Sequence, residues 1–291
     1  MKTKSVEKVI APPAPHMVGD GFRMHNFFPG DNGEMTRLSP FFVVDYGAKI
    51  EFSPRDTPRG VGVHPHRGFE TVTIAYHGRV AHHDSTGNSG IIGEGDVQWM
   101  TAASGILHKE YHDLEYSKKG GPFQMVQLWV NLPAAHKMSK PKYQPITRER
   151  MGKYDLPDGS GYVHVIAGDY KGTKGPAFTF TPIQMYNAHL KKGASIDFKL
   201  PANYNTGILV IEGSVKINGK NTAPVDHFVL FNNDGEDISI TADENSILLV
   251  LSGEPIYEPV MAYGPFLMNN KQEIIQAYDD FNTGKFGYLE D

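Results

Sequence analysis

The stretch FETVTIAYHGRVAHHD, residues 69–84, is the part of the sequence that decides the fold. Its β-branched and aromatic residues predict two strands, and Gly78 between them is typical of a tight turn. The stretch TGILVIEGSVKINGKN, residues 206–221, repeats this order of strand, glycine and strand. Each copy leads through a turn and an Asp-bearing corner into a further strand, at 95–100 and at 226–231. The repetition predicts an all-β protein made of two jelly-roll-like β-barrels.

The rest of the chain agrees with two domains. Short β-type runs separated by clusters of Gly, Asn, Asp or Pro fill most of the 291 residues, a length that suits two domains. The polar segment NLPAAHKMSKPKYQPITRER, residues 131–150, contains few β-formers and is the predicted linker. We therefore expect an N-terminal domain at 1–135 and a C-terminal domain at 136–291.

One segment near the C-terminus has a helical pattern instead of a β pattern. In NNKQEIIQAYDDFNTGKFG, residues 269–287, four apolar side chains recur at helical spacing: Ile274, Ile275, Tyr278 and Phe281. Gly284 follows them as a suitable helix stop. We expect one short C-terminal helix.

Composition and charge limit the classes of function. The formal net charge is -5 and there is no long basic run, so we expect no direct binding of nucleic acid or of an anionic membrane. There are no cysteines, so any metal must be bound by nitrogen and oxygen ligands. The N-terminus lacks the apolar core of a secretory signal, and the longest apolar run is too short to span a bilayer. These features lead us to expect a cytoplasmic protein.

Two pairs of polar residues have the spacing of a metal site. His64 and His66 are two residues apart in HPHRGFE, and His108 and Glu110 are two residues apart in SGILHKEYH. In an extended strand, residues i and i+2 point to the same face. Two such pairs on neighbouring strands would bring three imidazoles and one carboxylate to one point. The apolar residues crowded into the same segments make an exposed polar face the weaker interpretation.

Glu70 is a competing carboxylate, because it shares the face parity of His66. Along a straight strand its backbone would lie about 13 Å from that of His66, at ~3.3 Å per residue. It could reach the same ion only if the strand bends, which Gly68 would permit. Glu110 needs no such bend, so strand geometry favours Glu110 without deciding between the two.

Other histidines have simpler interpretations. His77, His82 and His83 lie at a strand end and in the loop after it. Two adjacent histidines point to opposite faces of a strand and make a poor chelating pair. We therefore expect no metal role for these three.

Taken together, these motifs resemble the pirin family within the cupin superfamily. The matching stretches are PHRGFETVT (65–73), HDSTGN (83–88), GDVQWMTAASGILHKE (95–110), QLWVNLP (127–133) and, near the C-terminus, GEP, YGPFLMN and EIIQAYDDFNTGKFG. The resemblance covers nearly the whole chain, from about residue 23 to residue 287. It implies two cupin barrels in tandem, a bicupin, in which the first barrel binds a metal and the second has kept its shape and lost its metal site.

The resemblance also bears on the ligands. The general cupin pattern matches His64, His66, Glu70 and His108, and in many cupins the equivalent of Glu70 binds the metal. Pirins resemble one another in using the Glu two residues after the last His, which is Glu110 here. The implied ligand set is therefore His64, His66, His108 and Glu110, in agreement with the geometric preference.

Three imidazoles and one carboxylate suit Fe(II), and could also hold Mn, Co, Ni, Cu or Zn. Four protein ligands leave positions open on the ion for dioxygen and for a substrate oxygen. The resemblance implies quercetin 2,3-dioxygenase activity, in which a flavonol ring is opened with release of carbon monoxide. Glu110 is the expected general base, because it is the only anionic ligand we predict at the ion.

An alternative function of a different class stays open. Some pirins resemble transcriptional co-regulators, so the protein could act through protein contacts that respond to the oxidation state of the metal. The expected partners are a flavonol and dioxygen in the first case and another protein in the second. Trp99, Met100, Phe123 and Met125 could line an apolar slot for a flat substrate, although barrel core is the better interpretation of each. We expect a monomer, since two packed barrels can be self-sufficient.

Overall fold

The computed structural model describes residues 2–30 and 35–291, and strands dominate it. The first half contains β1 (Val6–Ile10), β2 (His16–Val18), β3 (Phe22–Phe28), β4 (Phe41–Phe52), β5 (Gly60–His66), β6 (Phe69–His77), β7 (Val80–Asp84), β8 (Ser89–Ile92), β9 (Val97–Thr101), β10 (Ile106–His112), α1 (Leu114–Lys119), β11 (Gly121–Asn131) and β12 (Lys142–Ile146). The second half contains β13 (Gly152–Asp155), β14 (Gly161–Ala167), β15 (Asp169–Tyr170), β16 (Thr173–Lys174), β17 (Ile183–Leu190), β18 (Ser195–Lys199), β19 (Asn205–Glu212), β20 (Ser214–Ile217), β21 (Asn221–Pro224), β22 (Phe228–Phe231), β23 (Asp237–Ala242), β24 (Ser246–Gly253), β25 (Met261–Tyr263), β26 (Phe266–Met268) and α2 (Lys271–Asn282). Single 3-10 turns lie at Ala134–His136 and Arg148–Arg150.

The chain divides into two compact units, and neither is one continuous segment. The first barrel comprises residues 14–30, 35–36, 41–147 and 256–291, and the second comprises 2–13, 37–40 and 148–255. These units differ from the contiguous domains 1–135 and 136–291 that we predicted. The boundary between the two units near residue 147 falls inside the predicted linker. The N-terminal segment, however, belongs to the second barrel and the C-terminal segment belongs to the first. Local patterns do not show such an exchange, because the sheet partner of a terminal strand such as β1 lies far along the chain.

The first barrel contains two large antiparallel sheets and the two-stranded sheet β25-β26. One large sheet has the strand order β12-β9-β6-β11-β4-β3-β2 and the other has the order β5-β10-β7-β8. Side chains from both large sheets and from α1 form a buried apolar cluster: Phe22, Met24, Ala75, Val80, Ile92, Tyr116, Phe123 and Met125.

The second barrel repeats this plan of one long and one short sheet. Its strand orders are β1-β22-β19-β24-β17-β14-β13 and β18-β23-β20-β21. Its N-terminal segment is anchored by Lys4, whose buried Nζ donates to the carbonyl oxygens of Ala202, Tyr204 and Asn232. The predicted fold class, two jelly-roll cupin barrels in tandem, is confirmed by the matching strand orders.

The predicted C-terminal helix is confirmed as α2, which belongs to the first barrel. Its buried face includes Ile274 and Ala277, whereas Ile275 and Phe281, which we listed among the apolar residues at helical spacing, are 51% and 36% exposed. The six-residue helix α1 was not predicted, because one and a half turns are too short to show periodicity. Neither helix among the described residues is long and apolar enough to cross a membrane.

The corner between β5 and β6 sets the direction in which the chain leaves His66. Gly68 occupies this corner with φ +91, a conformation that L side chains rarely adopt. A Cβ at Gly68 would lie 2.0 Å from the carbonyl oxygen of Leu267. The corner therefore requires glycine both for its backbone conformation and for its close packing.

Two basic side chains, Arg67 and Lys137, stabilise the same corner through hydrogen bonds and an ion pair. The Nε of Arg67 donates to the carbonyl oxygen of Ser104 at 2.7 Å, and its guanidinium forms an ion pair with Asp280 at 2.9 Å. The Nζ of Lys137, which is 2% exposed, donates to the carbonyl oxygens of Gly68 and Leu267 at 2.7 and 2.8 Å. Lys137 lies in the predicted linker, so this part of that segment is a packed element of the first barrel.

Gly68→Ala should lower the free energy of unfolding by about 2 to 4 kcal/mol, because the variant adds a steric clash to an unfavourable φ. Gly87→Ala is a matched control, since Gly87 has φ +87 and open space around its Cβ position. The control should cost only about 1 kcal/mol. Urea unfolding of both variants measures the difference, and equal losses would contradict the packing argument.

Candidate metal centre

The four predicted ligands lie on β5 and β10, which pair in antiparallel fashion. In this register His64 lies opposite His108. The register then shifts, so that Glu110 lies opposite Val61. The extra residue is on β5, and within this bulge the carbonyl oxygen of Gly62 accepts a hydrogen bond from Nδ1 of His64 at 2.8 Å. The irregularity therefore orients one of the imidazoles.

The structure brings His64, His66 and His108 together. Each offers one ring nitrogen, and the three nitrogens lie within 4.8 Å of one another. The ring centroids are 4.2 Å apart for His64 and His108, 4.8 Å for His64 and His66, and 4.9 Å for His66 and His108. His66 and His108 are buried, whereas His64 stays partly exposed. This is a compact group of nitrogen donors with one side near solvent.

The hydrogen bonds of these histidines fit a bound metal. The Nδ1 of His66 donates to the carbonyl oxygen of Pro265 at 3.2 Å, as that of His64 does to Gly62. Ligating histidines commonly donate their other ring nitrogen in this way, which leaves the Nε2 lone pair for the ion. The Nε2 of His108 is buried and has no hydrogen-bond partner among the described residues. A divalent metal would supply the missing partner.

The surroundings of His66 and His108 keep these two imidazoles neutral. Burial lowers the pKa of His66 to about 3, and the neighbouring His64 adds to this effect. Burial also lowers the pKa of His108 well below its usual value, with further contributions from the neighbouring imidazoles. A metal binds only the neutral imidazole, so His66 and His108 are ready to coordinate at neutral pH.

Glu110 lies beside His108 but belongs to a second group of potential ligands. One of its carboxylate oxygens and one nitrogen each of His82 and His108 lie within 4.8 Å of one another. Three side-chain donors point at the carboxylate, namely Gln98 through Nε2, Gln127 through Nε2 at 2.7 Å and Thr73 through Oγ1 at 3.1 Å. A carboxylate offers about four acceptor positions, so these donors orient Glu110 and leave room for an ion.

Glu70 joins neither group of potential ligands among the described residues. Its carboxylate accepts a hydrogen bond from Oγ1 of Thr101 at 2.6 Å. Burial raises the pKa of Glu70 to about 7, and the bond from Thr101 offsets only part of that rise. Of the two carboxylates left open by the sequence, Glu110 is the one that lies beside His108.

His82 is a residue of this site that sequence reasoning missed. It is 0% exposed and faces His108 inside the barrel, whereas His83 points outward to the hydroxyl of Tyr111 at 3.0 Å. The two adjacent histidines do point to opposite faces, but they lie on strand β7, whose inner face borders the site. The available signal was the spacing of His82 and Asp84, which is the same i, i+2 spacing that singled out the other pairs.

A row of polar side chains crosses the inner face of the long sheet next to Glu110. The register places Asp45, Gln127, Thr73 and Gln98 opposite one another on β4, β11, β6 and β9. Asp45 also accepts a hydrogen bond from Nδ2 of Asn26 at 2.7 Å. Directly opposite residues share a face of the sheet, so this row forms a polar belt within the barrel.

An aromatic surface adjoins the histidines. The ring of Trp129 packs 5.2 Å from that of His66 and is stacked on Phe69 at 4.2 Å and on Phe42 at 6.5 Å. Trp129 stays partly exposed. The four side chains that we considered as slot residues are all buried, and they are Trp99, Met100, Phe123 and Met125. Trp129 is therefore the better candidate for contact with a flat ligand.

Comparison with known proteins adds independent findings. The pirin family matches residues 21–130, and its domain described as "Pirin C-terminal cupin domain" matches residues 185–287. A Pseudomonas aeruginosa protein named "Putative quercetin 2,3-dioxygenase PA2418" is 45% identical over 271 residues, which cover 93% of this chain and 94% of the relative. A tomato (Solanum lycopersicum) protein named "Pirin-like protein" is 38% identical and covers 88% of this chain and 84% of its own length.

Two solved structures show the same fold. A crystal structure of quercetin 2,3-dioxygenase from Acinetobacter baumannii matches with a TM-score of 0.94 at 44% identity, covering 99% of this chain and 100% of that one. The bacterial pirin YhhW from Escherichia coli, in complex with nickel(II), matches with a TM-score of 0.65 at 24% identity, covering 86% of this chain and 100% of that one. The second likeness is evidence for the fold alone.

Glu110→Gln should weaken the binding of nickel(II) by more than tenfold, because an anionic donor becomes a neutral amide. Glu70→Gln is the matched control, and its affinity should stay within twofold of the wild type. Competition with a chelator measures both affinities. If Glu110→Gln retains its affinity while Glu70→Gln loses it, Glu70 is the fourth ligand.

Glu70→Gln should also change the pH dependence of stability. Since the pKa of Glu70 is raised from 4.5 to about 7, the folded protein binds more protons than the unfolded chain between these values. The free energy of unfolding therefore falls as pH rises through this window, and Gln removes this loss. Between pH 5 and pH 8, urea unfolding should show the variant gaining about 2 kcal/mol relative to the wild type. A difference that does not change with pH would contradict the assignment.

Proposed function

The chain belongs to the pirin family, and on that premise we propose that it is a metal-dependent dioxygenase that opens the ring of quercetin-like flavonols with dioxygen. The observation that carries the proposal is the compact group of three imidazoles, two of them buried, in which Nε2 of His108 has no partner among the described residues. The relatives named as quercetin 2,3-dioxygenases, at 44% and 45% identity, support the choice of substrate class.

His64, His66, His108 and Glu110 would hold the metal, for which we propose Fe(II). The same nitrogen and oxygen donors could hold Mn, Co, Ni, Cu or Zn. When bound, the metal supplies redox chemistry with dioxygen and an open position for a substrate oxygen. The neutrality of the buried imidazoles favours its binding at neutral pH.

Glu110 is the proposed general base. A flavonol hydroxyl must lose its proton to become reactive, and the carboxylate of Glu110 would accept it. The donors Gln98, Gln127 and Thr73 fix the orientation of that carboxylate, so it needs no reorganisation when the substrate arrives. Burial of the Glu110 carboxylate excludes water that would compete for the proton.

The surroundings of the metal centre match the chemistry of a flavonol. Such a molecule is flat, aromatic and edged with hydroxyl groups. Trp129 offers an aromatic face beside His66, and Gln127 and Asp45 offer polar partners for hydroxyl groups. Ligand sites of this kind combine an apolar lining with a few convergent polar groups. These features support a polyphenol as the substrate class.

Iron-loaded protein should consume dioxygen and release carbon monoxide when quercetin is added to an anaerobic solution that is then exposed to air. His66→Ala should abolish both signals, because it removes one of the proposed ligands. His83→Ala is the matched control, since His83 lies on the outer face of β7, and it should retain full activity. An oxygen electrode and carbon monoxide detection give the readout.

Failure of the dioxygenase proposal can be distinguished from failure of the metal site. If iron-loaded wild-type protein binds metal with full stoichiometry but shows no uptake with quercetin, the dioxygenase proposal is wrong while the metal site stands. Metal-dependent binding to another protein under those conditions would favour the regulatory alternative.

A further inference from the structure

A line of three buried side chains, Asp84, His82 and His108, runs from the end of β7 to the proposed metal. The Nε2 of His82 lies 3.3 Å from Oδ2 of Asp84, and the Nδ1 of His82 lies 3.5 Å from the Nδ1 of His108. All three residues are at most 3% exposed. The three histidines His64, His66 and His108 do not need these contacts in order to lie close together. The contacts among Asp84, His82 and His108 therefore require a separate explanation.

The hydrogen bonds along the line determine which nitrogen carries each proton. An ionised carboxylate only accepts, so Asp84 requires the proton of a neutral His82 to be on Nε2. The Nδ1 of His82 is then an acceptor, and the facing Nδ1 of His108 must be the donor. With its proton on Nδ1, His108 has its lone pair on Nε2, which is the atom that has no hydrogen-bond partner in the described part of the chain.

We propose that Asp84 and His82 are positioning residues that hold His108 in the tautomer whose Nε2 faces the metal. The inference rests on the proposed role of His108 as a ligand and is independent of the reaction that the metal serves. In other metal sites, residues that hydrogen-bond to a metal-ligating histidine fix the orientation and the tautomer of its ring in this way. Here the partner is a second imidazole, oriented in turn by a carboxylate.

Asp84 is itself held by the turn that follows it, which explains a motif with no other assigned role. In HDSTGN, the Oδ1 of Asp84 accepts from the backbone nitrogen and Oγ1 of Thr86 at 2.9 and 2.7 Å and from the backbone nitrogen of Asn88 at 3.1 Å. Asn88 Nδ2 also approaches both carboxylate oxygens. The three shortest contacts all end on Oδ1, so Oδ2 is the oxygen that faces His82.

The ring of His82 is also fixed by packing. It is stacked on Tyr143 with ring centroids 4.9 Å apart and an interplanar angle of 15°. The stack prevents the imidazole from turning away from Asp84 and His108. Position and tautomer are therefore set by separate contacts, which allows them to be tested separately.

Asp84→Asn is the sharpest test, because it replaces one carboxylate oxygen with an NH2 group. This change should reverse the direction of the hydrogen bonds from residue 84 through His82 to His108. The donors at Oδ1 keep the amide oxygen in place, so the NH2 group takes the position of Oδ2 and donates to Nε2 of His82. His82 then carries its proton on Nδ1 and donates to His108, which forces the proton of His108 onto Nε2. That proton occupies the lone pair that the metal needs.

Two measurements follow the change. Long-range nitrogen–proton correlation NMR on metal-free protein should show His108 protonated on Nδ1 in the wild type and on Nε2 in Asp84→Asn. Nickel(II) affinity, measured by chelator competition, should fall about 10- to 100-fold in the variant. An unchanged tautomer, or an affinity within twofold of the wild type, would overturn the proposal.

A second pair of variants keeps the test decisive if Asp84→Asn does not fold. His82→Phe preserves the stack on Tyr143 but removes both nitrogens, and nickel affinity should fall at least fivefold. His83→Phe makes the same change on the outer face of β7 and should leave the affinity unchanged. If His82→Phe loses stoichiometric binding as completely as His108→Ala, His82 is itself a ligand and the positioning role is wrong. If His108→Ala binds nickel as well as the wild type, the metal site itself fails.

Discussion

The antiparallel pairing of β5 with β10 is the constraint on which the site depends, because it sets His64 opposite His108. β5 is the edge strand of its sheet, so it has one hydrogen-bonded neighbour and needs support from elsewhere. Arg67 and Lys137 give this support at the corner after His66, through an ion pair and through hydrogen bonds to backbone carbonyls. The positions of the proposed metal ligands are therefore maintained by Arg67 and Lys137, which are not ligands themselves.

Features that arise from local geometry could be predicted from the sequence. The alternation of side chains along a strand was enough to pair His64 with His66 and His108 with Glu110, and the repeated order of strands and turns indicated two barrels. Helical spacing located α2 but did not show that Ile275 is exposed, because a short helix packs on one narrow face and periodicity alone does not define its limits.

Features that depend on pairing between distant segments could not be predicted in the same way. The choice between Glu70 and Glu110 depends on the bulge in β5 and on a turn whose direction is set by packing at Gly68. The place of His82 depends on the register of β7 with β10, where it lies opposite Glu110. Nothing in the residues next to His82 fixes that register, so strand periodicity alone could not place His82 opposite Glu110.

The first barrel includes residues 256–291, and this has a consequence for its synthesis. The carbonyl of Pro265 that accepts from His66 comes 199 residues later in the chain. A ribosome adds about 5 to 20 residues per second, so roughly 10 to 40 s separate the two residues. Most strands of the second barrel are synthesised during that interval, while the imidazole of His66 lacks the carbonyl that accepts its hydrogen bond. The first barrel is therefore completed only after the strands of the second have been made, and its metal-ready arrangement needs segments that lie on both sides of the second barrel's main segment in the sequence.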